Sequence, residues 1–160
     1  MFGREIYDIA MSDPEIASVF KGVLAYDQLN VIQNSGFPAL FILNSDKASS
    51  SGEHWLLIFL TNEHFCVMFD SLALSFPVYR DLFTIINKKC RTIFTAPFRV
   101  QHFNSSSCGQ HTLFFLFLLK LFTPQEIFKY IYEKHNFILN DNLASFYVEL
   151  LKKNKKKTYY

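Results

Sequence analysis

The chain has 160 residues, half of them hydrophobic, with 19 phenylalanines and a formal net charge of +2. That length suits one domain with a full core, and the composition excludes a disordered chain. The longest apolar run, Leu113 to Leu119, stops far short of a bilayer span.

The chain opens Met1-Phe2-Gly3-Arg4-Glu5, without the apolar stretch of a signal peptide. The expectation is a soluble protein in a reducing compartment, neither secreted nor membrane-spanning. Three cysteines, Cys66, Cys90 and Cys108, are an odd number. That speaks against a disulfide framework and for a thiol kept for its chemistry. Five of the 16 basic residues are lysines between 152 and 157, and the rest of the chain sets 11 basic residues against 14 acidic ones. A mildly acidic body therefore carries a basic end. The expected organisation is one domain over 1–151 and a basic, frayed tail over 152–160.

In chain order, Ser12-Asp13-Pro14-Glu15 has capping-box spacing and predicts a helix to Phe20. Lys21 to Leu29 reads as a turn and a short extended or helical piece. Gly36-Phe37-Pro38 punctuates, Ala39 to Leu43 is a strand, and Asn44 to Gly52 is a surface loop. His54 to Leu60 is almost continuously apolar, as in a strand buried on both faces. Thr61-Asn62-Glu63 is short enough to return it as His64 to Asp70. Such a hairpin sets His54, at the start of one strand, beside Asp70, at the end of its neighbour.

Phe76 to Ile86 has helical spacing at Val78, Leu82, Ile85 and Ile86. Cys90 to Thr95 is β-prone, Ala96-Pro97 breaks it, and Phe98 to Gln101 predicts a second short strand. From Gln101 a loop of small polar residues ends at Cys108-Gly109-Gln110-His111, just ahead of the apolar run Thr112 to Phe122. This predicts a loop feeding a buried helix, with Cys108 at or near its N-cap. Thr123-Pro124-Gln125-Glu126 is another capping box, with Ile127, Tyr130, Ile131 and Lys134 spaced behind it. Asn140 to Asn142 caps a last helix whose apolar face is Leu143, Phe146, Tyr147, Leu150 and Leu151. The expected fold class is α+β: a small, mainly antiparallel sheet covered by helices, with the Cys108 helix central.

A thiol at a helix start meets free backbone N–H groups and the positive end of the dipole, and both favour thiolate. Such a nucleophile needs a base, an acceptor to orient the base, and donors for the oxyanion. His54, Asp70 and Gln101 are candidates for these parts, with the Cys108 N–H as a second donor. The expected orientation is His54 Nδ1–H toward Asp70 and Nε2 toward the thiol. Trp55 is either a cleft wall or a core aromatic, and Gly109 leaves room for substrate beside the sulfur. The plain alternative for Cys108 is a buried cysteine capping a core helix.

Gly52-Glu53-His54-Trp55, Phe69-Asp70, and Gln101 followed by Asn104-Ser105 and Ser107-Cys108-Gly109 resemble the adenovirus protease (adenain) family. Phe20, Gly22, Val23 and Asp27 resemble an N-terminal element of related viral and Polinton-type proteases. The resemblance covers residues 18 to 122. It implies an adenain-like cysteine protease fold, shared with SUMO-deconjugating enzymes. It implies a thiol endopeptidase with His54, Asp70, Gln101 and Cys108 catalytic, and Trp55 and Gly109 against the substrate. The implied substrates are viral capsid and structural precursors, cut at glycine-containing sites during virion maturation. The implied setting is the virion and the host-cell interior, the nucleus in particular; the chain is expected to be a monomer.

Cys90 precedes Gln101 by the spacing of the family cysteine that forms a disulfide with an activating viral peptide. The resemblance thus implies peptide activation through Cys90, while the residue alone reads as a free cysteine opening a strand. The chemistry itself requires no cofactor. The resemblance also implies stimulation by DNA, against which stands the gathering of the basic residues in the tail. A lysine tail would bind nucleic acid without sequence preference, through salt-sensitive phosphate contacts. Two rival functions use the same fold: an isopeptidase removing ubiquitin or SUMO, and a catalytically silent binding domain. A zinc site from His64, Cys66, Cys108 and His111 is disfavoured, because Cys66 sits among core residues, and no metal is expected. His111 and Gln110 are read as packing or capping the first helical turn, and His102 and His135 as loop histidines.

Overall fold

Three apolar strands lie side by side at the centre: β2 (Ala39–Asn44), β3 (Trp55–Leu60) and β4 (Phe65–Asp70). Both junctions are antiparallel, with Ala39 opposite Leu60 and Leu56 opposite Asp70. All six residues of β2 are buried, as an uninterrupted apolar run requires. The computed structural model describes residues 1–49, 54–74 and 77–157, the last three by backbone alone. Gly52 and Glu53 of the resemblance motif, and Phe76, fall outside the described residues.

The edges depart from expectation. β1 (Phe20–Leu24) runs parallel to β2, and β5 (Thr92–Thr95) parallel to β4, so the strand order is β1-β2-β3-β4-β5. The sheet is mixed, two junctions of each kind, rather than mainly antiparallel. The reason lies in the connections, because parallel neighbours need a crossover. A 3-10 turn (Tyr26–Gln28) and α3 (Leu29–Asn34) supply one, and α4 (Arg80–Lys89) the other. The class is α+β.

The sheet parts the core in two. On one face α3 and α4 cover Phe41, Leu43, Leu56, Ile58, Cys66 and Met68. On the other, α1 (Gly3–Ala10), α5 (Cys108–Leu118), α6 (Pro124–Tyr130) and α7 (Phe137–Lys157) cover Leu40, Ile42, Leu57, Val67 and Phe69. In α5 every residue except Gln110 is buried, and the Phe115 ring stacks on Phe69 at 4.0 Å between centroids. The helix stops earlier than its apolar run, since Leu121 is 75% exposed.

Helix boundaries follow the caps. Asp13, not Ser12, caps α2 (Pro14–Val19), accepting from the Glu15 and Ile16 N–H groups. Ser12 Oγ turns back to the Ile9 carbonyl at the end of α1, so the expected capping box does not form. The Thr123–Glu126 box does form, with reciprocal bonds of 3.3 and 2.8 Å. The segment 98–101 is not a strand: the Val100 and Gln101 N–H groups both donate to the single carbonyl of Ser71. α4 begins at Arg80, with Val78 exposed outside it. α7 begins at Phe137, ahead of the expected cap at Asn140, and is helical to Lys157 where a frayed tail was expected from 152. Lys152 bridges Glu5 of α1 (2.7 Å) and Glu149 (2.8 Å). No helix among the described residues is long and apolar enough to cross a membrane.

Candidate active site

Cys108 is the first residue of α5, with Ser107 in the N-cap position. Its N–H is thus one of the unpaired donors of a helix start. Burial by itself would raise the thiol. Hydrogen bonding and charge from His54, with backbone hydrogen bonds from Trp55 and Gly109, outweigh it and hold the thiol below its ordinary range. His54 shows the complementary balance. Burial would lower the imidazolium, yet hydrogen bonds and charge from Asp70 and Cys108 raise it to about 9. Each partner favours the charged form of the other.

The hairpin delivers the His54–Asp70 pairing expected of it. His54 directly precedes β3, its carbonyl pinned by the Ser45 N–H, and its Nε2 lies 2.6 Å from Asp70 Oδ1 at the end of β4. The ring is turned opposite to expectation. Its distal nitrogen spans the hairpin to the carboxylate, which leaves Nδ1, nearer its own backbone, for the sulfur. Asp70 is 3% exposed and takes three further donors: the Leu72 N–H (2.8 Å), the Leu74 N–H (3.0 Å) and the Tyr79 hydroxyl (3.2 Å). Burial and the Asp70 charge raise the Tyr79 hydroxyl far above its ordinary value, so it stays a donor. Sequence reasoning missed Tyr79. Its place just ahead of a helix, one position from the expected apolar stripe, was the signal available.

Gln101 is buried and lines the same cleft as the sulfur. Its Oε1 accepts from Ser71 Oγ (2.6 Å) and its Nε2 donates to the Ser105 carbonyl (2.7 Å). One of the two amide protons is thereby used and the other remains to be aimed. His54, Gln101 and Cys108 line one cleft of about 580 Å³, together with Trp55, Tyr26, Leu72, Val78 and Phe103.

Trp55 is both wall and core. It lines the cleft, donates Nε1–H to the Met1 carbonyl (3.2 Å), and its own carbonyl accepts from Thr112 Oγ1 of α5. Gly109 does not face open space. A Cβ there would come within 3.1 Å of Met1 Cβ and 3.3 Å of Trp55 Cδ1. The close approach that glycine permits here is made by the chain's own first residue and by the tryptophan.

The other expected residues lie apart. Cys90 is 3% exposed in the opposite half of the core, its thiol donating to the Asn62 carbonyl and paired with that of Cys66. Burial pushes both thiols up. A disulfide from Cys90 to a peptide requires that this sulfur first be uncovered. His64 is exposed beside Glu63, away from Cys66, and among the described residues no three His, Cys, Asp or Glu side chains gather into a metal cluster. His111 does more than pack in the first turn: it is fully buried and bonded through Nε2 to Asp141 of α7 (2.7 Å).

No family model matches this chain, and no curated protein matches it. Among solved structures it is similar to the central domain of the uncharacterized Lpg1148 protein from Legionella pneumophila. The two are 13% identical, the match covers 96% of this chain and 98% of that one, and the TM-score is 0.48.

Proposed function

We propose that this chain is a cysteine endopeptidase of the adenovirus-protease type, with an adenain-like fold, that cuts viral structural precursors at glycine-containing sites. The observation that carries the reading is the buried Asp70–His54–Cys108 arrangement, with His54 raised to about 9 and the thiol lowered beside it. A purely structural cysteine in an apolar core has its thiol pushed up, as Cys66 does.

The chemistry follows from the positions. The Cys108 thiolate forms a bond to the scissile carbonyl carbon. The oxygen charge that develops meets the Cys108 N–H at the helix start and the remaining Gln101 amide proton. As the C–N bond breaks, the imidazolium of His54 gives its proton from Nδ1 to the departing amine. Water, deprotonated by the same nitrogen, then cleaves the thioester and restores the thiol pair. Asp70 holds the ring through Nε2 and stabilises its positive charge.

The test is a panel of Gly-Gly and Gly-Xaa peptides assayed beside ubiquitin and SUMO conjugates, with a thiol-directed peptide electrophile as active-site label. Expected are peptide cleavage and wild-type labelling, both lost in Cys108→Ala and His54→Ala. Gln101→Ala should lower kcat by roughly 10²–10³-fold. Turnover confined to the conjugates would make the enzyme an isopeptidase. Absence of labelling with viral peptide and DNA added would make it a binding domain. Cut-site mapping on cognate precursors then defines the substrates.

A further inference from the structure

The loop from Gln101 to Cys108 must hold two oxyanion donors, one at each of its ends. It has almost no regular structure of its own: Ser71 holds Gln101 at its start, and beyond that point its side-chain hydrogen bonds converge on one carboxylate. Asp141, in the first turns of α7, accepts from Ser107 Oγ (2.8 Å) and His111 Nε2 (2.7 Å) on Oδ1, and from the His102 N–H (3.3 Å) on Oδ2. It thus touches the loop after its first residue, again at the N-cap of α5, and once more in the first turn of that helix. The chain of bonds continues inward. Ser107 Oγ meets Ser105 Oγ (2.7 Å), and the Ser105 carbonyl accepts from Gln101 Nε2.

The neighbouring residue of α7 completes the hold. Asn140 is fully buried, and its side-chain amide donates to the Val100 carbonyl (3.2 Å) and to the Glu133 carbonyl (2.9 Å). Its Oδ1 accepts from the Glu133 N–H (3.0 Å). The His111 ring is sealed on its other side by the Tyr132 hydroxyl (3.4 Å). A buried polar cluster of this kind, with its acceptors and donors matched, fixes one geometry.

We propose that Asp141 is a positioning residue for the oxyanion donors, setting the Gln101 amide and the Cys108 N–H through Ser107, His102 and His111. This rests on the endopeptidase reading and adds to it a residue outside the His54–Asp70–Cys108 group. Asp141 touches neither the sulfur nor the base, so its loss should misplace the donors while leaving the thiolate pair formed. Misplacement by about 1 Å at such a site costs on the order of 10²-fold in rate.

Two reactions of one sulfur separate these effects. Hydrolysis of a peptidyl-Gly-Gly aminomethylcoumarin builds an oxyanion. Alkylation by iodoacetamide forms the S–C bond as iodide leaves and builds none. In Asp141→Ala, kcat for hydrolysis should fall by about 10–100-fold with KM within about 3-fold. The alkylation rate of Cys108 should stay within about 2-fold, since it calls on no oxyanion donor and Asp141 does not touch the sulfur. Ser107→Ala removes one hydrogen bond from the cluster without emptying it, and should show the same split in smaller measure, so it carries the test if Asp141→Ala does not fold. Equal losses in both reactions, or undiminished hydrolysis in folded Ser107→Ala and Asp141→Ala, would overturn the assignment. A wild-type protein that neither hydrolyses the probe nor alkylates rapidly defeats the endopeptidase reading, and this proposal with it.

Discussion

Asp70 Oδ1 stands 2.6 Å from His54 Nε2 while the same carboxylate collects two backbone N–H groups and the Tyr79 hydroxyl. Removing the carboxylate leaves four donors unanswered in a buried place. Asp70→Ala should cost about 3–5 kcal/mol of stability in urea unfolding. Tyr79→Phe, which loses one of those bonds, should cost about 1–2 kcal/mol. Asp70→Asn keeps the shape but not the charge, and should lower kcat/KM by about 10²-fold or more. An Asp70→Ala protein as stable as wild type contradicts this account.

The rate should depend on pH through both members of the pair. Above about 9, His54 loses its proton and with it the acid that serves the leaving amine, so kcat/KM falls on the alkaline side. On the acid side the rate falls as the Cys108 thiolate is protonated, at a pH below the ordinary thiol range. In Asp70→Asn the alkaline limb should move down, because the charge that raises His54 is gone. A profile of kcat/KM against pH on a peptide substrate reads both limbs, and a variant limb fixed at the wild-type position would refute the coupling.

The three cysteines should separate by reactivity. The Cys108 thiol is lowered beside His54, whereas burial raises those of Cys66 and Cys90. Ellman titration of the native protein near neutral pH should show one fast thiol, absent in Cys108→Ala. The remaining two should appear only on unfolding.

Gly109→Ala tests the packing in front of the helix start. Helix propensity alone favours alanine by about 1 kcal/mol. The new Cβ would press on Met1 and on Trp55, which Gly3 confines from its other side, with Trp55 Cη2 3.2 Å from a Cβ built there. Overpacking of this kind costs about 1–3 kcal/mol, so a net loss of stability is expected. Trp55 is the single tryptophan of the chain, and its emission should shift in the variant. Unchanged emission with raised stability would show that Met1 yields freely.

Much of this was legible in the residues. The long apolar runs of β2 and β3 announce strands buried on two faces, and the turn of three residues between His54–Leu60 and His64–Asp70 forces the ends of that hairpin together. The capping signal at Thr123 and Glu126 is local chemistry and needed no partner. What stayed hidden depends on distant chain. α1 begins behind Phe2 with no side-chain cap, so nothing in the sequence marks its start. β1 and β5 are edge strands defined by parallel neighbours, and β5 is only four residues long. Which imidazole nitrogen faces Asp70 depends on ring orientation, which no spacing encodes. The hold of Asp141 on His102, Ser107 and His111 joins residues 30 or more positions apart, and between Asn140 and Asn142 the aspartate reads as part of a helix cap.

Helix α7 grips both banks of the cleft. At Asp141 it is tied to the loop that presents the sulfur, and at Lys152 to α1, whose leading residues stand against Trp55. Eleven residues of helix separate these ties, a fixed span of about 16 Å. One helix thus touches both the loop that carries Cys108 and the helix that starts against Trp55. The two ties should part company in salt, which loosens the half-exposed Lys152–Glu5 pair and leaves the sheltered Asp141 contacts in place.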